Sequence, residues 1–213
     1  MMGKTETAYL YIKNKILDGT YKPTQKLTEI QLAEMIGASR NTVKNALLKL
    51  QQENLVTIEE NKGATIKSFT LEEVSNYLEI REVLEGLVAK SAAINISDTA
   101  LEELGNIFKE MVDHSTHNRF EEYSKMNQQF HKIIYSAAQN IQAVELITMI
   151  KTQLSRYQFR TTLVPGRNQA SLKEHGKIYE ALQRHDVSLT ETAIKNHVAE
   201  VRRTIEQNYH YLM

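Results

Sequence analysis

The sequence predicts a mostly α-helical protein, an N-terminal winged helix-turn-helix over 1–68 followed by an all-α antiparallel bundle over 69–213. Three observations predict it. Helical periodicity up to residue 54 is followed by one pair of short β-branched runs around a Gly-containing turn. After Phe69 no strand-like alternation occurs, and the breaks between helical stretches are short. The charge also divides: residues 1–68 hold 10 Lys+Arg against 7 Asp+Glu, a net of +3, whereas 69–213 hold 16 against 19, a net of −3.

The first region reads as helix, helix, helix, hairpin. "TAYLYIKNKILDG" places Ala8, Ile12 and Ile16 one turn apart, and Gly19 suits the helix end. "YKPTQKL" is a turn around Pro23. "TEIQLAEMIG" has Thr28 as N-cap, apolar Ile30, Leu32, Ala33 and Ile36, and Gly37 as terminator. Ser39 caps the next helix, in which Val43, Leu47, Leu48 and Leu50 form the apolar side. The runs Val56–Ile58 and Ala64–Ile66 flank Glu60-Asn61-Lys62-Gly63, a hairpin signal.

Beyond Thr70-Leu71-Glu72-Glu73, a capping box, six helical segments are expected at about 70–95, 97–115, 118–138, 140–162, 168–186 and 188–211. The chain has 213 residues, 26 basic against 26 acidic, and no cysteine, so disulfides and thiolate metal sites are excluded. "MMGKTETAYL" lacks the apolar core of a signal peptide, and no stretch approaches the roughly 18 apolar residues of a membrane span. A cytoplasmic protein without membrane partners is the expectation.

Two helices joined by a Gly-containing turn form a helix-turn-helix, with the hairpin as its wing. Such a motif seats the start of its second helix in the major groove of double-stranded DNA, so base-reaching side chains must cluster there. Here that start, capped by Ser39, carries Arg40, Asn41, Thr42 and Lys44. Arg40 suits a guanine edge, Asn41 an adenine edge or a phosphate, and Thr42 and Lys44 suit phosphates. Lys62 and Gly63 at the wing tip could reach the minor groove.

A second constellation is built of histidines. Asn127 and His131 lie at i and i+4, on one helical face. His175 and His197 each lie about eleven residues from the turn near Asp186-Val187, so an antiparallel hairpin brings them level. Three imidazoles and one oxygen converging inside a bundle suit a divalent metal ion, Zn²⁺ or Ni²⁺ foremost. His114, His117, His185 and His210 sit near helix ends or turns, where solvated or hydrogen-bonded histidines are ordinary.

"YIKNKILDGTYKPTQKLTEIQLAEMIGASRNTVKNALLKLQQENLVTIEENKGATI" resembles the winged-helix domain of GntR-type transcriptional regulators. It departs from their pattern at Pro23-Thr24, where Pro-Gly is usual, at Lys44, where an arginine is usual, and at Ile30, where several members carry a DNA-touching arginine. "YLEIREVLEGLVAKSAA", "NQQFHKIIYSAAQN", "EHGKIYEALQRHD" and His197-Val198 resemble the FCD ligand-binding domain of the FadR branch, in a six-helix, VanR-like form. That resemblance implies a homodimer on a pseudo-palindromic operator, acting as a repressor. It also implies a small organic acid completing the shell of a metal held by Asn127, in the usual aspartate position, and the three histidines. Arg81 matches an arginine that often faces the effector, and Arg156 and Arg160 are further candidates.

Two other readings stand beside it. In one, the metal itself is the regulatory signal. In the other, three histidines and an open position make a metal-dependent hydrolase. Its general base would be Glu174, the carboxylate adjacent in sequence to a ligand, yet on a helix that side chain points about 100° from His175. No phosphate loop, nucleophile elbow or HExxH motif supports catalysis.

Overall fold

A computed structural model describes residues 3–59 and 63–212, with the backbone alone at 156, 158 and 159. The chain divides into two compact units, Met1–Thr70 and Leu71–Met213. In the first, α1 (Lys4–Leu17), α2 (Glu29–Ile36) and α3 (Arg40–Gln52) accompany a three-stranded antiparallel sheet ordered β1-β3-β2. Its strands are β1 (Lys26–Leu27), β2 (Val56–Glu59) and β3 (Gly63–Ile66). The expected hairpin pairs Val56 with Ile66 and Ile58 with Ala64. The segment read only as a turn around Pro23 also supplies β1, whose Leu27 pairs with Ala64. Two residues are too few for a periodic signal, so this strand is set by its partner.

The helix ends follow from their residues. Thr28 accepts from the Gln31 N–H and Ser39 from the Thr42 N–H, satisfying donors that an α-helix leaves free at its start. Gly37 ends α2 at φ 69, where a Cβ would be strained. Thr24 has φ 63 as well, an unusual conformation for a β-branched residue and one that glycine adopts freely. Ala8, Ile12, Leu32, Val43, Ala46, Leu47 and Leu50 form the core of this unit with Val56, Ala64 and Ile66. Leu48 and Ile30, read as core-facing, are 41% and 50% exposed. With residues 43, 46, 47 and 50 occupying one face of α3, position 48 falls outside it.

The second unit is an all-α bundle: α4 (Leu71–Asn95), α5 (Asp98–Thr116), α6 (Phe120–Ser136), α7 (Ile141–Gln153), α8 (Ser155–Thr161), α9 (Arg167–Gln183) and α10 (Val187–Leu212). The long helices α4 and α10 pack along one another; α5 packs on α6 and α9, and α7 on α4. The single helix expected over 140–162 is divided at Leu154 into α7 and α8. No glycine or proline marks that break, while Leu154 and Tyr157 beside it are both buried. No helix among the described residues is long and apolar enough to cross a membrane.

Candidate metal centre and nucleic-acid interface

At the start of α3, Arg40, Asn41, Lys44 and Asn45 are exposed, and neither Arg40 nor Lys44 is held in an ion pair among the described residues. These long side chains are free to meet a partner. Thr42 is half-buried and its hydroxyl lies 2.8 Å from that of Ser39, so both residues are occupied in the cap. Lys62 lies outside the described residues. Gly63 has φ 84, and a Cβ on it would stand 2.5 Å from the Leu27 carbonyl oxygen. The close approach of β3 to β1 therefore already requires glycine there.

In the bundle, α6, α9 and α10 bring His131, His175 and His197 together, with their ligand atoms all within 4.8 Å of one another. All three are buried. His175 Nε2 stands 3.3 Å from His131 Nε2. Two nitrogens bound tetrahedrally at about 2.0–2.1 Å to one Zn²⁺ would be roughly 3.3 Å apart.

The outer ring nitrogens of His175 and His197 have hydrogen-bond partners of their own. His175 Nδ1 donates to the Ser171 carbonyl at 2.6 Å, and His197 Nδ1 to Glu174 Oε2 at 2.7 Å. His131 Nδ1 faces Glu85 Oε2 at 3.6 Å. A proton on Nδ1 leaves the Nε2 lone pair free to ligate, the arrangement usual around metal-bound histidines. Burial lowers all three pKa values: that of His131 falls to about 4, and those of His175 and His197 go well below the ordinary histidine range, with repulsion among the rings adding to the effect. The three imidazoles are thus neutral, and the Nε2 atoms of His131 and His175 face one another with lone pairs available to ligate. Asn127 Oδ1, one turn before His131 on α6, is buried and accepts no hydrogen bond. A buried, orphaned oxygen one helical turn from His131 fits the donor set of a borderline divalent ion.

Around this cluster lies a layer of charge. Glu174 accepts two hydrogen bonds from the buried Arg167, at 2.9 and 2.8 Å, besides that of His197. A carboxylate held in this way is no free general base, which removes the residue on which the hydrolase reading leaned. Arg81, 3% exposed, donates through Nε to Glu85 Oε1 at 2.6 Å. Burial raises the pKa of Glu85, but Arg81 together with His131 and Lys151 outweighs that and holds it well below the usual carboxylate range. Lys151 donates to the Tyr135 hydroxyl at 3.2 Å and has no carboxylate within ion-pair distance among the described residues. Burial, with Arg81 nearby, brings its pKa down to about 8.

Comparisons with known proteins cover both units of the chain. Residues 76–200 match the FCD domain, and residues 4–66 match the bacterial regulatory proteins of the gntR family. The chain belongs to the GntR family of transcriptional regulators, with an FCD domain. Among its relatives, the HTH-type transcriptional regulator YdhC of Bacillus subtilis is 27% identical over 89% of this chain and 84% of its own length. The HTH-type transcriptional repressor RspR of Escherichia coli is 22% identical over 93% and 87%. In fold it is similar to E. coli McbR/YncC, with a TM-score of 0.76 at 20% identity over 100% of this chain and 98% of that one.

This GntR regulator is a DNA-binding protein and not an enzyme. Of its expected effector residues, Arg81 lies beside Glu85 and so next to the histidine cluster, whereas the side chain of Arg156 lies outside the described residues. Arg160 is exposed and donates to the Leu212 carbonyl, away from the cluster. The sequence reading missed Glu85, Tyr135, Lys151 and Arg167. Glu85 and Tyr135 each stand four residues from a residue it did single out, Arg81 and His131, and that spacing was the available signal. His117 bonds Asp113 and His185 bonds the Ala93 carbonyl, each outside the cluster.

Proposed function

We propose that this regulator is a homodimeric repressor whose affinity for a pseudo-palindromic operator is set by a small carboxylate-containing effector bound at a divalent metal site. Asn127, His131, His175 and His197 would hold the metal, and the observation that carries the reading is the convergence of three buried, neutral imidazoles. When bound, the metal would supply a Lewis-acidic centre able to attract a carboxylate. The protein supplies charge. Glu85 is already paired with Arg81, so the ammonium of Lys151 is left uncompensated near the cluster and favours an anionic ligand. The similarity to RspR, which is named as a repressor, supports the sign of regulation.

On the DNA side, Arg40 would read a guanine edge, Asn41 an adenine edge or a phosphate, and Lys44 a phosphate, with the wing at Lys62 and Gly63 beside the minor groove. Ser39 and Thr42 would act through the cap that orients them. Effector control requires the ligand to favour one arrangement of the two winged domains over another, about 1.4 kcal/mol for each tenfold change in operator affinity. One observation favours a metal-responsive variant of this reading: Asn127 offers a neutral oxygen, which lowers metal affinity and ties occupancy to metal supply.

An operator selected in vitro separates these readings. Its affinity is measured for metal-stripped and Zn²⁺-reloaded protein, with and without a panel of short hydroxy- and dicarboxylic acids. A shift of tenfold or more that needs both metal and one acid is the expected result. A shift with metal alone supports the metal-responsive reading, and identical affinity under all conditions overturns both.

A further inference from the structure

The charged groups around the histidine cluster do not balance. Arg167 is matched by Glu174, and Arg81 by Glu85. Lys151, half-buried and reaching in from α7, has no carboxylate within ion-pair distance among the described residues. The imidazoles add no charge, since burial keeps them neutral. These groups therefore hold three cations against two carboxylates before any metal ion is counted. Glu85 does not serve both of its neighbouring cations. Its Oε1 accepts from Arg81 at 2.6 Å, while its Oε2 turns toward His131 and accepts no hydrogen bond. The Lys151 ammonium instead donates to the Tyr135 hydroxyl at 3.2 Å and lies over that ring, 5.1 Å from its centroid. Burial raises the pKa of Tyr135 well above the ordinary phenol range, so this partner is neutral and cancels none of the charge. A cation drawn out of water without a counter-charge is costly.

From this arrangement we infer that Lys151 holds a second anionic group of the effector, separate from the one drawn to the metal, so that the preferred effector is a short dianion such as a dicarboxylate. The inference rests on the effector reading of the proposed function and adds the chemistry that the effector carries at its other end. A divalent ion held by neutral donors adds two charges to a site already one in excess. A monocarboxylate cancels just one of the resulting three. A dicarboxylate cancels two, and it offers acceptors to the ammonium donors that one hydroxyl leaves unused. The two anionic groups have separate places. Asn127 and Tyr135 stand one turn to either side of His131 on α6, so the fourth metal donor and the partner of the ammonium lie on opposite sides of that imidazole. The Tyr135 ring intervenes between Lys151 and the cluster, its centroid 5.9 Å from that of His131. Lysine suits such a place, as a point charge on a flexible stem that adjusts to the length of the ligand.

The test uses the full chain loaded with Zn²⁺ and calorimetric titration with matched acids. Malonate, succinate, glutarate and adipate are each compared with the monocarboxylate of equal carbon number, propionate to hexanoate. At least one dicarboxylate is expected to bind about tenfold or more tighter than its partner, as a desolvated charge pair discriminates. Lys151→Met should bring that ratio close to one, and Lys151→Arg should restore most of it. Lys132→Met, which removes an exposed lysine from α6, should keep the wild-type ratio. A substitution that merely loosened the bundle would weaken both acids alike, so an unchanged ratio in Lys151→Met overturns the assignment. A wild-type preference below about tenfold in every pair overturns the dianion and leaves the effector reading standing. Binding of none of these acids by the Zn²⁺-loaded wild type overturns both. Should Lys151→Met fail to fold, the wild-type ratio and Lys151→Gln decide.

Discussion

The substitution Asn127→Asp probes the candidate metal site from two sides at once. It keeps the size of the side chain and replaces a neutral oxygen with an anionic one. That oxygen is buried and has no hydrogen-bond donor, and the imidazoles of the cluster are uncharged. In metal-free protein the new carboxylate therefore loses its hydration with nothing in return, a cost of about 1–3 kcal/mol. For a unit the size of this bundle, Tm should fall by roughly 2–4 °C for each kcal/mol. With metal bound the sign reverses, because a carboxylate meets a dication at about 2 Å. A tenfold or greater gain in affinity is expected, which is about 1.4 kcal/mol or more. Chelator competition with Zn²⁺ gives the affinity, and thermal unfolding with and without Zn²⁺ gives the stabilities. A merely structural asparagine would respond alike in both states. If Asn127→Asp binds Zn²⁺ no tighter than wild type, or loses stability equally with and without it, the assignment of Asn127 as fourth donor is refuted.

Glu174→Gln should leave the bundle folded but reduce metal affinity by about 10–100-fold, because it removes the charge that orients His197; calorimetric titration with Zn²⁺ checks this, and unchanged affinity contradicts it. The metal-free protein should be less stable in acid. His131 has a folded pKa of about 4 against 6.5 unperturbed, so the unfolded chain takes up the proton first. Its contribution is fully present above pH 6.5 and is lost toward pH 4 at about 1.4 kcal/mol per pH unit. Urea unfolding between pH 7 and 5 measures the slope, and a flat profile contradicts burial of a neutral His131. Arg40→Ala should cost about 1–3 kcal/mol on the operator and relax preference at one base position in each half-site, whereas Lys44→Ala should weaken all sequences evenly and lower the salt dependence. Fluorescence anisotropy on operator and scrambled DNA separates the two, and wild-type binding by Arg40→Ala would show that α3 does not read the bases.

Much of this molecule was legible because its signals are local. Thr28, Gly37 and Ser39 mark helix ends through hydrogen bonds and a backbone angle within their own few residues. The meeting of His175 with His197 needed only one turn and a constant rise per residue, and Asn127 and His131 needed one helical face. What escaped depends on partners far away in sequence. The strand β1 exists because β3 offers it an edge. Glu174 acquired its role by reaching His197 on another helix and Arg167 one element-start away. Lys151 matters through Tyr135 across α6 and α7, a pairing with no spacing to betray it. The division of the fourth bundle segment at Leu154 carries no breaker residue, so burial alone announces it.

The proposal of a metal held by three histidines in the helical unit is tested most directly by elemental analysis of protein purified without a polyhistidine tag. Wild type should carry close to one divalent ion per chain. His131→Ala, His175→Ala and His197→Ala should each lose most of it, since each removes one of three nitrogen donors. His185→Ala, which gives up a hydrogen bond to the Ala93 carbonyl outside the cluster, should keep its metal. Full occupancy in the His175→Ala and His197→Ala proteins would contradict the account.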